Sequence, residues 1–257
     1  MWIQFRPDKD VWAFGVEPAK VKFRLRLARY PALAESLKEW LARRDKVGEA
    51  ITQPVNPEPL ALVDIGAGFG RTFLYLEAAD IANRFDLLGL DIDPERKDDV
   101  YDNNPYRIIG GDANKPLDLV DASFDVVVSE QLLEHLDKPD QLITEFHRIM
   151  KQDGLLVVGV PIFPEPIAML RRALVRRFGL RGSDHIQTYS LRSIRRDLAP
   201  YFEEVEARGF RIISGGLLRN LENYEWWYRF NRRLGRWLPG LCIEVQLLLR
   251  PRPKSEH

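Results

Sequence analysis

Short apolar runs alternate with amphipathic segments through the middle of the chain. The runs predict buried strands at 60–65, 86–91, 106–110, 124–129 and 154–160. Helical spacing between them predicts helices at 71–82 and 138–150. Strands that are apolar throughout and separated by helices predict a mostly parallel sheet covered on both faces, an α/β fold. Ligands of such sheets bind at the carboxyl ends of the strands.

The flanking regions follow a different pattern. Segment 17–44 has helical spacing, and Pro31 is predicted to divide it into two helices before a proline-rich linker at 48–59. Beyond the alternating region we predict a helix at 191–198 and two edge strands, at 205–213 and 241–250.

The domain division follows from these patterns. We predict an N-terminal helical cap and linker at 1–59 and one α/β domain at 60–257. Two helical insertions, at 161–184 and 217–238, interrupt the C-terminal third and are expected to act as lids.

Composition narrows the class of protein. The formal net charge is zero, which gives no bulk argument for nucleic-acid binding, and the single cysteine, Cys242, excludes an internal disulfide. No apolar run approaches the ~18 residues that span a bilayer, and the N-terminus lacks the pattern of a signal peptide. We expect a cytoplasmic protein that contacts membranes at most peripherally.

A glycine-rich loop follows the first strand. Gly66, Gly68 and Gly70 suit a tight turn and a close backbone approach to a ligand. A dinucleotide fingerprint needs its third glycine at position 71, which is Arg71, and the carboxylate of Asp64 would repel a diphosphate. The alternative is a strand–helix turn that binds nothing.

Two further acids end strands of the same sheet. Asp91 can accept both hydroxyls of a ribose, which also fits NAD, while the nearby Asp93 can simply cap a helix. Asp112 can accept a hydrogen bond from an exocyclic amine such as that of adenine, or it is an ordinary polar loop residue.

Taken in order, these motifs resemble the class I methyltransferases, a family that includes ubiquinone-type and small-molecule O-methyltransferases. The matching pieces are 63–70, 88–93, 111–113, 124–136 and 146–154. The resemblance implies a Rossmann-like, doubly wound sheet of seven strands with an antiparallel last strand. It also implies methyl transfer from S-adenosylmethionine, leaving S-adenosylhomocysteine, and no metal site. The cofactor residues that it implies are Asp64, Gly66 and Gly68 at the aminoacid end, Asp91 at the ribose, and Asp112 with Ala113 at the adenine, together with Ala67, Ile92 and Glu130.

Two histidines are candidate general bases for a hydroxyl acceptor. His135 follows the fourth strand, where some relatives place their base and many others have a structural Glu-His pair. His185 belongs to a His-x-x-x-Tyr-Ser segment that resembles the substrate region of relatives, although Ser190 there also suits a helix cap.

The insertions are expected to select the acceptor. Segment 167–181 is basic and amphipathic, which fits either a lid or a helix on an anionic membrane surface. Segment 217–238 is rich in tryptophan, tyrosine and arginine, which can bind a ring, a phosphate or a carboxylate. The expected acceptor is a small molecule, a saccharide or a lipid-linked compound, and no nucleic acid. The alternatives are an NAD-dependent oxidoreductase or epimerase, and a non-catalytic scaffold that binds the cofactor.

Overall fold

Seven strands form one sheet. The computed structural model describes residues 27–49, 58–68, 70–94, 107–178, 186–212, 221 and 224–253. The strands are β1 (Leu60–Ile65), β2 (Phe85–Asp91), β3 (Arg107–Gly110), β4 (Phe124–Glu130), β5 (Met150–Pro161), β6 (Phe202–Phe210) and β7 (Glu244–Pro251). They lie in the order β3-β2-β1-β4-β5-β7-β6. β7 runs antiparallel to β5 and β6, and the other described pairs are parallel, which confirms the predicted fold class.

Helices cover both faces of the sheet. The helices are α1 (Arg29–Glu49), α2 (Arg71–Ala78), α3 (Pro139–Ile149), α4 (Glu165–Phe178), α5 (Leu191–Leu198) and α6 (Glu225–Trp237). Alternate residues of β4 enter opposite layers, because successive strand side chains point to opposite faces. Val126 and Val128 pack in a cluster with α1 and α2, whereas Val127 packs in the cluster that holds α3 and α5.

The N-terminal helix is part of the core. Leu33, Leu37 and Leu41 of α1 are buried in the same cluster as apolar residues of β1, β4 and β5. Pro31 lies in the first turn of α1, where its missing N–H costs no helical hydrogen bond. The helix continues past the predicted end at residue 44 as far as Glu49. The part of the prediction that precedes residue 27 lies outside the described residues.

Several predicted ends shift by a few residues. The helix predicted at 71–82 ends at Ala78, because Asp80 adopts a left-handed conformation with φ 58° and turns the chain. β5 begins four residues before the prediction, at Met150, and β6 occupies Phe202–Phe210 in place of 205–213. Among the described residues, no helix is long and apolar enough to cross a membrane.

Candidate functional site

The glycine loop forms a tight turn at the carboxyl end of β1. Gly66, Gly68 and Gly70 have φ values of 81°, 53° and 71°, in the region that favours glycine. The amides of Gly66 and Ala67 both donate to the carbonyl of Leu90, at 2.8 and 3.1 Å. A Cβ atom at Gly66 would lie 3.1 Å from the Leu132 side chain, so the loop packs against the segment that follows β4.

Asp64 and Asp91 flank this loop from neighbouring strands. Asp64 is buried in β1, and its charge helps to raise the pKa of Glu130. Asp91 ends β2, and its Oδ2 and Oδ1 atoms accept the amides of Gly68 and Asp93 at 2.8 and 3.1 Å. Each carboxylate oxygen of Asp91 keeps a lone pair with which it can accept a ribose hydroxyl.

The predicted adenine region lies after β3. Asp112 accepts the amide of Asn114 at 3.0 Å and lies 3.2 Å from Lys115 Nζ. The backbone hydrogen bond and the lysine lower the pKa of Asp112, which keeps it ionised. Ala113 is buried in the core, whereas Ile92 is 75% exposed beside Asp91. An exposed isoleucine at this place provides an apolar surface that a flat ring can cover.

Glu130 ends β4, and its side chain lies across β5. A Cβ atom at Gly159 would lie 1.9 Å from Glu130 Oε2, so this carboxyl group needs a glycine beneath it. Oε1 accepts a hydrogen bond from Gln246 of β7 at 2.6 Å. Burial raises the pKa of Glu130 to about 7, against the opposing effects of Arg29 and of the Gln246 hydrogen bond. Glu130 therefore extends from the cofactor side of the sheet towards β7.

Two buried arginines hold the acids around Glu130. Arg29, the first residue of α1, places Nη1 3.4 Å from Glu244 Oε2 and Nε 3.8 Å from Glu130 Oε2. Arg211, which follows β6, places Nη1 2.9 Å from Glu244 Oε1. Gln246 Nε2 also donates to the backbone carbonyl of Arg29 at 3.2 Å. A network of five polar side chains thus lies at the carboxyl end of β4 and β5.

The segments of the two candidate bases meet at Glu134. His135 belongs to a 3₁₀ turn, Leu133–His135, and its Nε2 lies 3.9 Å from Glu134 Oε1. His185 lies outside the described residues, but the amide of its chain neighbour Ile186 donates to the carbonyl of Glu134 at 2.8 Å. The Glu134 side chain is 1% exposed, and burial raises its pKa to about 8. The role of His135 or His185 as general base therefore stays a prediction.

The contacts confirm the predicted helix cap at Ser190 and give His147 a structural role. Ser190 caps α5 and accepts the amide of Ser193 at 3.1 Å. His147 of α3 places Nε2 2.9 Å from the carbonyl oxygen of Arg252 and packs against the rings of Tyr201 and Phe202, a structural role.

A comparison with known protein families indicates which family this chain resembles. Residues 63–158 match the family described as a methyltransferase domain. This stretch contains the glycine loop, Asp91, Asp112 and Glu130. Over residues 63–158 the chain is therefore similar to methyltransferase domains. Proteins of this family use S-adenosylmethionine, so the resemblance found in the sequence is confirmed.

Two curated proteins are similar to part of this chain. A Mycolicibacterium smegmatis protein named "Probable S-adenosylmethionine-dependent methyltransferase" is 30% identical over 131 residues, 51% of this chain and 48% of the relative. A malonyl-(acyl-carrier protein) O-methyltransferase of Laribacter hongkongensis is 34% identical over 73 residues, 28% of this chain and 23% of the relative. The chain thus spans about half, or less, of the length of these curated relatives.

One solved structure is similar to this chain over a longer stretch than residues 63–158. The protein determined in complex with the Haloferax volcanii Trm112 methyltransferase activator has a TM-score of 0.53 and 17% identity. The match covers 91% of this chain and 99% of that one. At this low identity, the structural likeness shows a common fold alone.

Most of the network around Glu130 was not predicted from the sequence. A usable signal was present on β7, where Glu244 and Gln246 place polar side chains on one face of an otherwise apolar strand. Arg29 and Arg211 gave no local signal, because their partners lie far away in the chain.

Proposed function

We propose that this protein is an S-adenosylmethionine-dependent methyltransferase that methylates an oxygen atom of a small-molecule, saccharide or lipid-linked acceptor. The methyl donor would bind between Asp64, the glycine loop, Asp91 and Asp112, as the resemblance implies. The sulfonium group of the donor is already activated, so the protein's residues mainly position the acceptor and exclude water. The division of the chain at residue 60 and its cytoplasmic location stay predictions.

The observation that carries the oxygen assignment is a group of buried hydrogen-bonding oxygens. Within the described residues, Glu130 Oε2, Gln246 Oε1 and both carboxyl oxygens of Glu134 are buried and accept no hydrogen bond. Buried polar atoms without partners are costly. A ligand hydroxyl would suit them, because it can donate to Glu130 or Gln246 and accept from the Glu134 carboxyl, whose raised pKa keeps it protonated at neutral pH. These atoms lie at the end of β4, in the turn after it and on β7.

Glu130 also has the proton affinity that a hydroxyl acceptor requires. Its pKa of about 7 leaves a large fraction of the carboxylate ionised at neutral pH, and that carboxylate binds a proton well. In this mechanism Glu130, which the resemblance assigned to the cofactor, instead takes the hydroxyl proton as the oxygen attacks the methyl group. His135 is the alternative base in the same region.

Substitutions separate these roles. Transfer of a labelled methyl group from S-adenosylmethionine is measured against phenols, saccharides and a polyprenyl-linked saccharide. Wild type is expected to lose activity as the pH falls below about 7, and Glu130→Gln to lose at least about a hundredfold of its rate without losing cofactor binding. His135→Gln serves as the matched variant. A Glu130→Gln enzyme of normal rate would refute the role of Glu130, and labelling of amines alone would refute the oxygen assignment.

The competing functions give different results in the same assays. An NAD-dependent oxidoreductase would bind NAD in calorimetry and would not bind S-adenosylmethionine. A non-catalytic scaffold would bind S-adenosylmethionine and label no acceptor in a cell extract. Arg71 at the third-glycine position and the buried Asp64 favour the methyl donor over NAD.

A further inference from the structure

The helix α4 turns its apolar face away from the protein. Ala168 is its fully buried residue among those whose side chains are described, whereas Ile167, Met169, Leu170 and Leu174 are between 39% and 61% exposed. Ile167, Leu170 and Leu174 follow the spacing i, i+3, i+7 and therefore share one face of the helix. A helix on the surface of a soluble domain has the opposite arrangement, with its apolar stripe facing the core.

Arginines accompany this exposed face. The sequence of α4 contains four arginines and one acid, Glu165. Glu165 is already engaged, because Ser190 Oγ donates to it and Arg172 Nη2 lies 3.3 Å from it. Arg171 lies over the ring of Phe163, and Arg177 is exposed. The helix therefore presents apolar side chains in a positively charged setting.

The helix α6 has the same combination with aromatic residues. Trp226, Phe230 and Trp237 are exposed, Trp237 to 85%, and their spacing i, i+4, i+11 places them on one face. Arg229 and Arg233 lie between them on that face and are exposed. Tryptophan and arginine are both favoured at the boundary between lipid headgroups and acyl chains.

We propose that α4 binds the surface of an anionic lipid bilayer, with Ile167, Leu170 and Leu174 at the acyl boundary and its arginines among the headgroups. A second copy of the chain fits this face less well, because a symmetric contact would bring the arginines of both copies together. A closed lid would turn the apolar stripe towards the protein. This inference stands independently of the acceptor that the enzyme uses.

Vesicle binding tests the proposal on the full chain. Wild type is incubated with vesicles of phosphatidylcholine alone and of phosphatidylcholine mixed with phosphatidylglycerol, then sedimented. We expect binding to the anionic vesicles, weakened by salt, and at least about tenfold weaker binding by Leu170→Gln/Leu174→Gln. The control is Val120→Gln, which changes an exposed apolar residue in the loop before β4 and is expected to bind like wild type.

A label on α4 gives a second measurement. Cys242 is buried, so a polarity-sensitive dye attached to Leu170→Cys reports on the apolar face of α4. Its emission is expected to shift to the blue on anionic vesicles, while the same dye on Val120→Cys stays unchanged. The proposal is overturned if wild type binds no vesicle, if the double variant binds as well as wild type, or if the double variant converts a dimer into a monomer.

Discussion

The carboxylate of Asp91 accepts the backbone N–H of Gly68, with 2.8 Å between Oδ2 and the nitrogen. Asp91 ends β2 and Gly68 lies in the loop that follows β1, so this bond joins the carboxyl ends of two neighbouring strands. The acid that the sequence assigns to the ribose thus also shapes the glycine loop. The loop geometry thus depends on the side chain that is predicted to bind the ribose of the cofactor.

We expect Asp91→Asn to weaken binding of S-adenosylhomocysteine about ten- to a hundredfold. The amide presents a donor group where the loop amide and a ribose hydroxyl both need an acceptor, and hydrogen bonds to a charged group contribute roughly 1.5–3 kcal/mol. Equilibrium dialysis measures the change. Asp93→Asn is the control, since its position suits a cap, and equal losses in both variants would contradict the assignment.

Gly66→Ala is expected to lower the free energy of unfolding by about 1–3 kcal/mol. The residue has φ 81°, and the new methyl group would lie 3.1 Å from the Leu132 side chain. Urea denaturation measures the loss, with Gly240→Ala as the control, because a Cβ there would lie 3.5 Å from Leu191. Adding Leu132→Ala removes the contact and leaves the backbone strain. Full stability in Gly66→Ala would show that this turn is not strained.

The buried carboxyl of Glu134 predicts a specific pH dependence of stability. Burial raises its pKa from 4.5 to about 8, so the folded chain holds the proton more tightly than the unfolded chain. The free energy of unfolding therefore falls as the pH rises from about 5 to about 8, by up to about 1.4 kcal/mol per pH unit. Glu134→Gln cannot titrate and loses this component. Urea denaturation at several pH values measures the difference between the variant and wild type.

Glu130→Gln is the matched comparison for this measurement. The pKa of Glu130 is raised to about 7. The fall in unfolding free energy that Glu130 causes therefore ends about one pH unit below the end of the fall caused by Glu134. Curves for Glu134→Gln and wild type that stay parallel from about pH 5 to about pH 8 would contradict the assignment.

Arg29→Gln is expected to cost about 3–5 kcal/mol of unfolding free energy, because it removes the cation beside the buried Glu130 carboxyl, while Glu244 keeps Arg211. Arg29 lies between Glu130 and Glu244, and all three side chains are largely buried. Arg84→Gln breaks the more exposed pair with Asp45 and is expected to cost less than about 1 kcal/mol. Guanidinium denaturation compares the two variants. Similar small losses would mean that the buried network contributes little to stability.

Local patterns were enough to predict the sheet. β1 and α5 were predicted residue for residue, because apolar runs and a serine cap are signals carried by neighbouring residues. Gly66 follows β1 and Asp91 ends β2, as predicted, and their binding of the methyl donor stays a prediction.

The acceptor side could not be predicted in this way. Glu130 meets Gln246 and Arg29 only because β4, β5 and β7 lie side by side and α1 packs across them. No sequence spacing encodes contacts over such distances. The exposure of the apolar face of α4 could not be predicted either. The same spacing of apolar residues also fits a helix whose apolar side faces the core.

Isothermal titration calorimetry of wild type with S-adenosylmethionine and, separately, with NAD tests the central claim most directly. We expect saturable binding of S-adenosylmethionine with one site per chain, and no heat of binding with NAD. Saturable binding of NAD with no binding of S-adenosylmethionine would contradict the account.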